Sequence, residues 1–114
     1  MSSSKPFRVI TTKEFRKEAE LLKRKYPNIK EDFLELAEQL KQDPITGNAS
    51  LGKDCYKVRM KISDKSKGQS GGARVIINVE VKDNDVYVLS VYDKSEIESL
   101  TDKEISSLLA RKGD

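Results

Sequence analysis

The segment ARVIINVEVKDNDVYVLSVY, residues 73–92, predicts two adjacent strands joined by a tight turn. Residues 73–81 alternate with a period of two, which is the side-chain period of a β-strand. Four aliphatic side chains would share the inward face of this strand: Val75, Ile77, Val79 and Val81. Residues 82–85, KDND, have the polar composition of a turn, and residues 86–92 are again apolar enough for a strand. This stretch therefore predicts an antiparallel pair of strands.

A further strand is predicted upstream, at residues 55–62. Its apolar side chains alternate with Lys57, Arg59 and Lys61, which is the pattern of a half-buried strand. Consecutive strands with short connections favour an antiparallel meander. If the valine face of these strands meets the helices, the opposite face carries the three cations together with Arg74. In that register, Arg59 and Arg74 would be neighbours across the sheet.

Helical segments surround these strands. A short strand at residues 7–10 precedes a helix over 12–25, whose start carries the capping-box pattern TTKE from Thr11. A second helix is predicted over 30–41, followed by a loop with one proline and two glycines, and a second capping box at Thr101 starts a C-terminal helix. The predicted class is α+β, with the order β-α-α-β-β-β-α. We expect an antiparallel sheet with a helical hairpin packed on one face, to which all the helices segregate.

Length and composition limit the classes of function. With 114 residues, the chain is predicted to be a single domain over 1–114, with loose tails at 1–5 and 113–114. No apolar run is long enough to span a bilayer, so we expect a cytoplasmic protein without a membrane partner. Histidine is absent and Cys55 is the single cysteine, which excludes histidine-based triads and an internal disulfide and argues against structural zinc. We expect neither a metal nor a cofactor.

Positive charge is concentrated in the middle of the chain. The formal net charge is +3, but residues 53–74 alone carry seven basic and two acidic side chains, or +5. Such a block favours a polyanionic partner, with a phosphate backbone as the first candidate. The alternative is a solvated loop that happens to be rich in lysine. An aromatic hydroxyl is expected near the basic face, since alternation places Tyr92 on one face with Ser90, Val88 and Val86.

The connection between the first two strands of the meander is long. Residues 63–72 span ten positions, whereas a simple hairpin loop needs about two to five. Lys65 and Lys67 are predicted to lie at its tip, as a mobile cationic arm beside the basic face. Gly71 and Gly72 would let the backbone bend sharply and approach a ligand. The alternative is an exposed loop whose glycines serve only the turn.

Three stretches of the chain resemble a known family. They are YKVRM (56–60), KGQSGGARVI (67–76) and VYVLSVYDKSE (86–96), and the resemblance extends over nearly the whole chain. The sequence is similar to the RelE/ParE superfamily of toxins from bacterial type II toxin–antitoxin modules, and KGQSGGARVI is most like the HigB/RelE-like branch. The resemblance implies a ribosome-dependent mRNA endonuclease, or mRNA interferase, that inhibits translation. Its implied partners are a cognate antitoxin protein, the ribosome and mRNA.

The resemblance also implies a set of site residues. Cleavage in this family can use the neighbouring 2′-hydroxyl of RNA as the nucleophile, which requires no histidine. By resemblance, Arg59 and Arg74 clamp the phosphate, and Lys94 is the basic residue that follows the last strand. Four lysines are expected to bind RNA or ribosomal RNA: Lys57, Lys61, Lys65 and Lys67.

One position departs from the family pattern. Many RelE-type toxins have a tyrosine about six residues beyond the position of Lys94, where this chain has Leu100. Tyr92 is therefore included among the expected catalytic residues, for stacking or proton transfer. A lysine or tyrosine whose pKa is lowered by neighbouring cations would serve as the base. The alternative for Tyr92 is a tyrosine at the edge of the core with a hydrogen-bonded hydroxyl.

Two other functions remain open at this point. A toxin of the same superfamily can bind DNA gyrase instead of cutting RNA, as ParE-type proteins do, and a domain of this kind can also bind RNA without chemistry. The cluster of Arg59, Arg74 and Lys94 favours the nuclease, because phosphoryl transfer develops negative charge on phosphate oxygens. We also expect an antitoxin segment to cover the sheet face, the helical hairpin or both.

Overall fold

The fold is a five-stranded sheet with helices on both faces. The computed structural model describes residues 5–65 and 71–114. The elements are, in order, β1 (Arg8–Thr11), α1 (Lys13–Lys25), α2 (Ile29–Gln42), β2 (Ala49–Gly52), β3 (Cys55–Met60), β4 (Ala73–Glu80), β5 (Asp85–Asp93) and α3 (Asp102–Ala110). A 3₁₀ turn at Val81–Asp83 joins β4 to β5, where a turn was predicted. None of the helices in these two ranges is long and apolar enough to cross a membrane.

The strands are ordered β1-β5-β4-β3-β2 across the sheet. β1 runs parallel to β5, whereas the other three pairs are antiparallel. The predicted α+β class and the predicted meander are confirmed, but the sheet is mixed and not wholly antiparallel. β2 is an additional strand in a segment predicted to be a loop. Its sequence, ASLG, is mostly exposed and has no alternation that would have indicated a strand.

Side-chain hydrogen bonds fix where α1 begins. Its N-cap residue is Thr12 and not the predicted Thr11, because the Thr12 hydroxyl accepts a hydrogen bond from the backbone N–H of Phe15 at 3.3 Å. The same hydroxyl donates to the carbonyl of Val88 at 2.9 Å. One side chain therefore both caps the helix and ties its first turn to β5.

One face of the sheet packs against the helical hairpin formed by α1 and α2. Three residues at the centre of this layer have no exposed surface: Ile29, Val75 and Ile77. Phe15 of α1 and Phe33 of α2 meet edge to face, with ring centroids 5.4 Å apart. Burial of an aliphatic or aromatic side chain contributes about 1.5–3 kcal/mol, and the larger of the two apolar clusters of the described residues lies in this layer.

The opposite face is partly covered, so the prediction that all helices lie on one face is wrong. α3 begins with the predicted capping box, in which the side chains of Thr101 and Glu104 each accept from the other's backbone N–H. Ile105 and Leu108 of α3 then pack in one cluster with Ile76 of β4. The C-terminal helix therefore covers part of this face and confines the predicted basic surface to the remainder.

A β-bulge in β5 changes which side chains share a face. Ile76 pairs with Ser90, but the next residue of β4, Ile77, pairs with Val88, so Leu89 is an extra residue between the two pairs. Tyr92 consequently lies with Leu89 in the cluster beneath α3, and not on the face of Val88 as alternation predicted. A period-two pattern cannot locate a bulge, because the extra residue reverses the alternation without any change in composition.

Candidate nucleic-acid interface

Two arginines occupy adjacent strands on the face that α3 partly covers. Arg59 of β3 pairs directly with Arg74 of β4, as predicted, and Arg74 pairs in turn with Tyr92 of β5. Directly opposite Cβ atoms in antiparallel strands lie about 4.5–5.5 Å apart, and like charges in that arrangement are destabilising. An anion bound between the two guanidinium groups would relieve this repulsion.

The two arginines line a groove with a volume of about 430 Å³. We call it the basic groove, and its lining residues are Gly47, Ala49, Lys57, Arg59, Arg74 and Lys94. The cations come from β3, from β4 and from the segment after β5, while the two small residues form a wall at the start of β2. No carboxylate belongs to the lining in the part of the chain that the structure describes, so its charge is uniformly positive. Such a groove is suited to a phosphate.

Arg74 is held in place within the groove. Only 8% of its surface is exposed. Its Nη1 donates to the carbonyl oxygen of Gly71 at 2.7 Å and to that of Ala73 at 3.2 Å. A guanidinium has five N–H donors, and those on Nε and Nη2 have no acceptor among the described residues, so they can donate to a ligand. A planar group already fixed by two carbonyls can bind phosphate with little loss of side-chain freedom.

The other cations of the groove are less buried. Arg59 is exposed, and Lys57 and Lys94 are half-buried. Lys94 is positioned through its backbone, since its N–H donates to the carbonyl of Gly72 at 3.0 Å. The structure therefore brings together four of the predicted site residues, three of which are less buried than Arg74.

Lys61 lies outside the basic groove. Its side chain is 69% exposed, and its Nζ is 3.8 Å from Oε1 of Glu35 on α2. An exposed pair of this kind contributes at most about 1 kcal/mol. Both residues line a separate pocket of about 210 Å³ between α2 and the end of β3. Lys67, another predicted RNA contact, lies outside the described residues.

The side chain of Lys65 is buried, so the prediction of an exposed cation at a loop tip is wrong. Its side chain is 8% exposed, and its Nζ donates to Oδ1 of Asp93 at 2.8 Å. Tyr26 donates its hydroxyl to Oδ2 of the same carboxylate at 2.7 Å, and Ser95 donates both its N–H and its hydroxyl to Oδ1. We call these four residues the Asp93 network. Because Asp93 neutralises Lys65, this lysine is not a free cation for RNA.

The Asp93 network also determines the charge of its own carboxylate. Burial alone would raise the pKa of Asp93, but hydrogen bonds from Lys65, Tyr26 and Ser95 outweigh that effect and hold the pKa well below its usual range. Asp93 is therefore ionised at neutral pH. Asp93 is the last residue of β5 and immediately precedes Lys94. The network therefore fixes the end of the strand from which this groove lysine extends. Sequence patterns did not indicate this aspartate, because Tyr26 and Lys65 are distant from it in the chain.

Tyr92 lies beside Arg74 but beneath α3, and it is not part of the groove lining. It is 5% exposed, and its hydroxyl has no hydrogen-bond partner among the described residues. Burial raises the pKa of this hydroxyl, and the charge of Arg74 opposes the shift only in part. The expected lowering of a tyrosine pKa is therefore not found. Leu100, at the family's tyrosine position, is partly buried against the same cluster.

Comparison with known proteins finds one family and several solved structures. Residues 7–112 match the family described as the RelE toxin of the RelE/RelB toxin–antitoxin system. The toxin–antitoxin complex RelBE2 from Mycobacterium tuberculosis is similar with a TM-score of 0.59 and 18% identity, covering 77% of this chain and 98% of that chain. A mutant of E. coli toxin RelE in the free state has a TM-score of 0.55 and 16% identity, covering 94% of both chains. No curated protein sequence matches significantly.

Proposed function

The chain belongs to the RelE toxin family of RelE/RelB toxin–antitoxin systems, and from this membership we propose that it inhibits translation by cutting mRNA on the ribosome. The observation that carries the proposal is the basic groove, in which two arginines and two lysines surround about 430 Å³. Phosphoryl transfer needs such a set of cations around the reacting phosphate. Placement of the chain in the HigB-like branch stays a prediction from KGQSGGARVI.

The proposed reaction is a transesterification within the RNA backbone. The 2′-oxygen of one nucleotide attacks the adjacent phosphorus, and the bond from phosphorus to the 5′-oxygen breaks. The products carry a 2′,3′-cyclic phosphate and a 5′-hydroxyl. One proton must leave the 2′-hydroxyl and one must reach the departing 5′-oxygen, so the step balances with proton transfer alone. Negative charge grows on the non-bridging oxygens, and its stabilisation is the main contribution of the groove.

The cations of the groove divide between these tasks. We assign Arg59 and Arg74 to the phosphate oxygens, since a guanidinium can donate two parallel hydrogen bonds. Proton transfer is assigned to Lys57 and Lys94, because guanidinium groups stay protonated. Tyr92 is assigned a packing role beside Arg74, since burial raises its pKa and α3 covers it.

The proposed partners are the ribosome with its mRNA and a cognate antitoxin protein. The similar M. tuberculosis structure is a toxin–antitoxin complex, which supports an antitoxin partner for this chain. We propose that the antitoxin covers the sheet face with the basic groove, the helical hairpin or both. Hydrogen exchange of the free and bound toxin would locate its footprint, and protection at neither surface would remove this part of the proposal.

The test is induced expression in bacteria without the antitoxin, followed by primer extension on translated mRNA. We expect growth arrest and new 5′ ends within translated regions, which disappear when the ribosomes are not functional. Arg74→Ala provides the matched inactive variant, and circular dichroism checks its folding. Intact mRNA together with trapped gyrase–DNA complexes would establish a gyrase inhibitor instead. Intact mRNA bound by the protein, without gyrase complexes, would establish an RNA-binding module without chemistry.

A further inference from the structure

Gly71 stands directly against one cation of the basic groove. Its φ of +101° lies in the region that favours glycine. A Cβ atom at this position would lie 2.7 Å from Cγ and 2.8 Å from Cβ of Lys94. Real Cβ atoms essentially never approach another heavy atom more closely than 3.0 Å. The stem of the Lys94 side chain therefore occupies space that any other residue at position 71 would need.

The same glycine contacts the second cation through its backbone. Its carbonyl oxygen accepts the 2.7 Å hydrogen bond from Nη1 of Arg74. The next carbonyl, that of Gly72, accepts from the backbone N–H of Lys94 at 3.0 Å. One dipeptide thus touches both Arg74 of β4 and Lys94, which follows β5.

The other glycines differ from Gly71 in what surrounds them. Gly47 and Gly52 both have φ +84°, and a Cβ at either would meet nothing within 4 Å. At Gly72 a Cβ would collide with the backbone carbonyl of Met60, which is a contact of the fold and not of the groove. Among these positive-φ glycines, Gly71 is the one whose missing side chain makes room for a side chain of the basic groove.

We propose that Gly71 is a positioning residue that sets Arg74 and Lys94 on the same phosphate. Its missing side chain admits the stem of Lys94, and its carbonyl orients the Arg74 guanidinium. This proposal rests on the proposed function, because it assumes that the groove binds the reacting phosphate. It also assigns a role that differs from the sequence-based expectation, in which the glycines bring the backbone close to a ligand.

Gly71→Ala tests the role, and Gly52→Ala is the matched control. Both variants place a Cβ at a positive φ, but only the first collides with a groove cation. We expect Gly71→Ala to slow single-turnover cleavage on programmed ribosomes by roughly 10²-fold, the loss typical of a catalytic group displaced by about 1 Å. Gly52→Ala should cleave at the wild-type rate. Circular dichroism and thermal unfolding verify that both proteins are folded.

A binding measurement separates positioning from a general loss of structure. The probe is a short single-stranded 2′-O-methyl RNA, which cannot be cleaved through its 2′-oxygen. Displacement of Lys94 removes one phosphate contact, so the slope of log affinity against log salt should become shallower by about 0.7 in Gly71→Ala. It should stay unchanged in Gly52→Ala. A folded Gly71→Ala protein with the wild-type slope and rate would overturn the proposal.

If Gly71→Ala does not fold, the same substitution is made in a protein that also carries Lys94→Gly, and this double variant tests the proposal. Lys94→Gly removes both atoms with which the new Cβ collides, so the double variant should fold and should bind RNA as Lys94→Gly alone does. A double variant that remains unfolded would show that the φ at position 71, and not the contact with Lys94, requires glycine. If the wild type itself neither cuts nor binds RNA, the proposed function fails, which is a distinguishable result.

Discussion

Replacement of Asp93 by asparagine should destabilise the protein strongly with little change of shape. The substitution leaves Lys65 with its charge buried, at 8% side-chain exposure, and removes the carboxylate 2.8 Å away. Removing one partner of a buried ion pair costs about 3–5 kcal/mol. Because the asparagine oxygen can still accept a hydrogen bond, we expect a loss of about 3 kcal/mol in unfolding free energy. That loss corresponds to a Tm lower by roughly 12 °C, at about 4 °C per kcal/mol.

The pH dependence of this loss has a defined sign. The folded-state pKa of Asp93 is lowered, so its stabilisation is fully present above the unfolded-state value of about 3.9 and is lost as the pH falls toward the folded-state value. Urea unfolding of wild type and Asp93→Asn should therefore show a gap that is larger at about pH 7 than at about pH 3.

Tyr26→Phe is the matched control for this experiment. It removes one hydrogen bond to the same carboxylate but keeps the ion pair with Lys65. We expect it to cost about 1.5 kcal/mol, the lower limit for a hydrogen bond to a charged group. An Asp93→Asn protein as stable as the wild type at neutral pH would refute the reasoning, since the charge of Lys65 would then need no partner.

Three further predictions concern the basic groove and its surroundings. Arg74→Lys should keep the fold and slow single-turnover cleavage by roughly two orders of magnitude, because an ammonium cannot form paired hydrogen bonds to phosphate; a wild-type rate would show that Arg74 is not a clamp. Lys57→Ala should make the salt dependence of RNA affinity shallower by about 0.7 in log–log slope, whereas Lys61→Ala should not; equal slopes would argue against the groove. Tyr92→Phe should not lower the free energy of unfolding in urea, since the hydroxyl has no partner among the described residues; a clear loss would reveal a hydrogen bond.

Regular elements were predictable from the sequence because their side chains repeat with a fixed period. The alternation of β3 and β4 was sufficient to place Arg59 opposite Arg74, because the pairing of these two strands contains no bulge. The capping box at Thr101 located the start of α3 for the same local reason. β2 was missed, because its pairing uses backbone groups and its side chains are mostly exposed.

The candidate site was predictable only in part, because burial depends on distant residues. Lys65 was predicted at an exposed tip, yet its side chain is buried and donates a hydrogen bond to Asp93, which lies 28 residues further along the chain. Lys61 alternates correctly with Arg59, but it follows the end of β3 and pairs with α2 instead. The contact of Gly71 with Lys94 likewise joins two segments whose proximity only the folded sheet creates.

The parallel pairing of β1 with β5 means that the sheet can be completed only late in the synthesis of the chain. Arg8 lies opposite Asp85, and their side chains form an ion pair at 2.9 Å although 77 positions separate them in the chain. During translation α1 and α2 emerge before the strands that cover their apolar faces, and contacts between such distant segments form slowly. The basic groove needs residues from Gly47 to Lys94. A nascent chain therefore has neither the complete sheet nor an assembled basic groove until the residues up to Lys94 have been made.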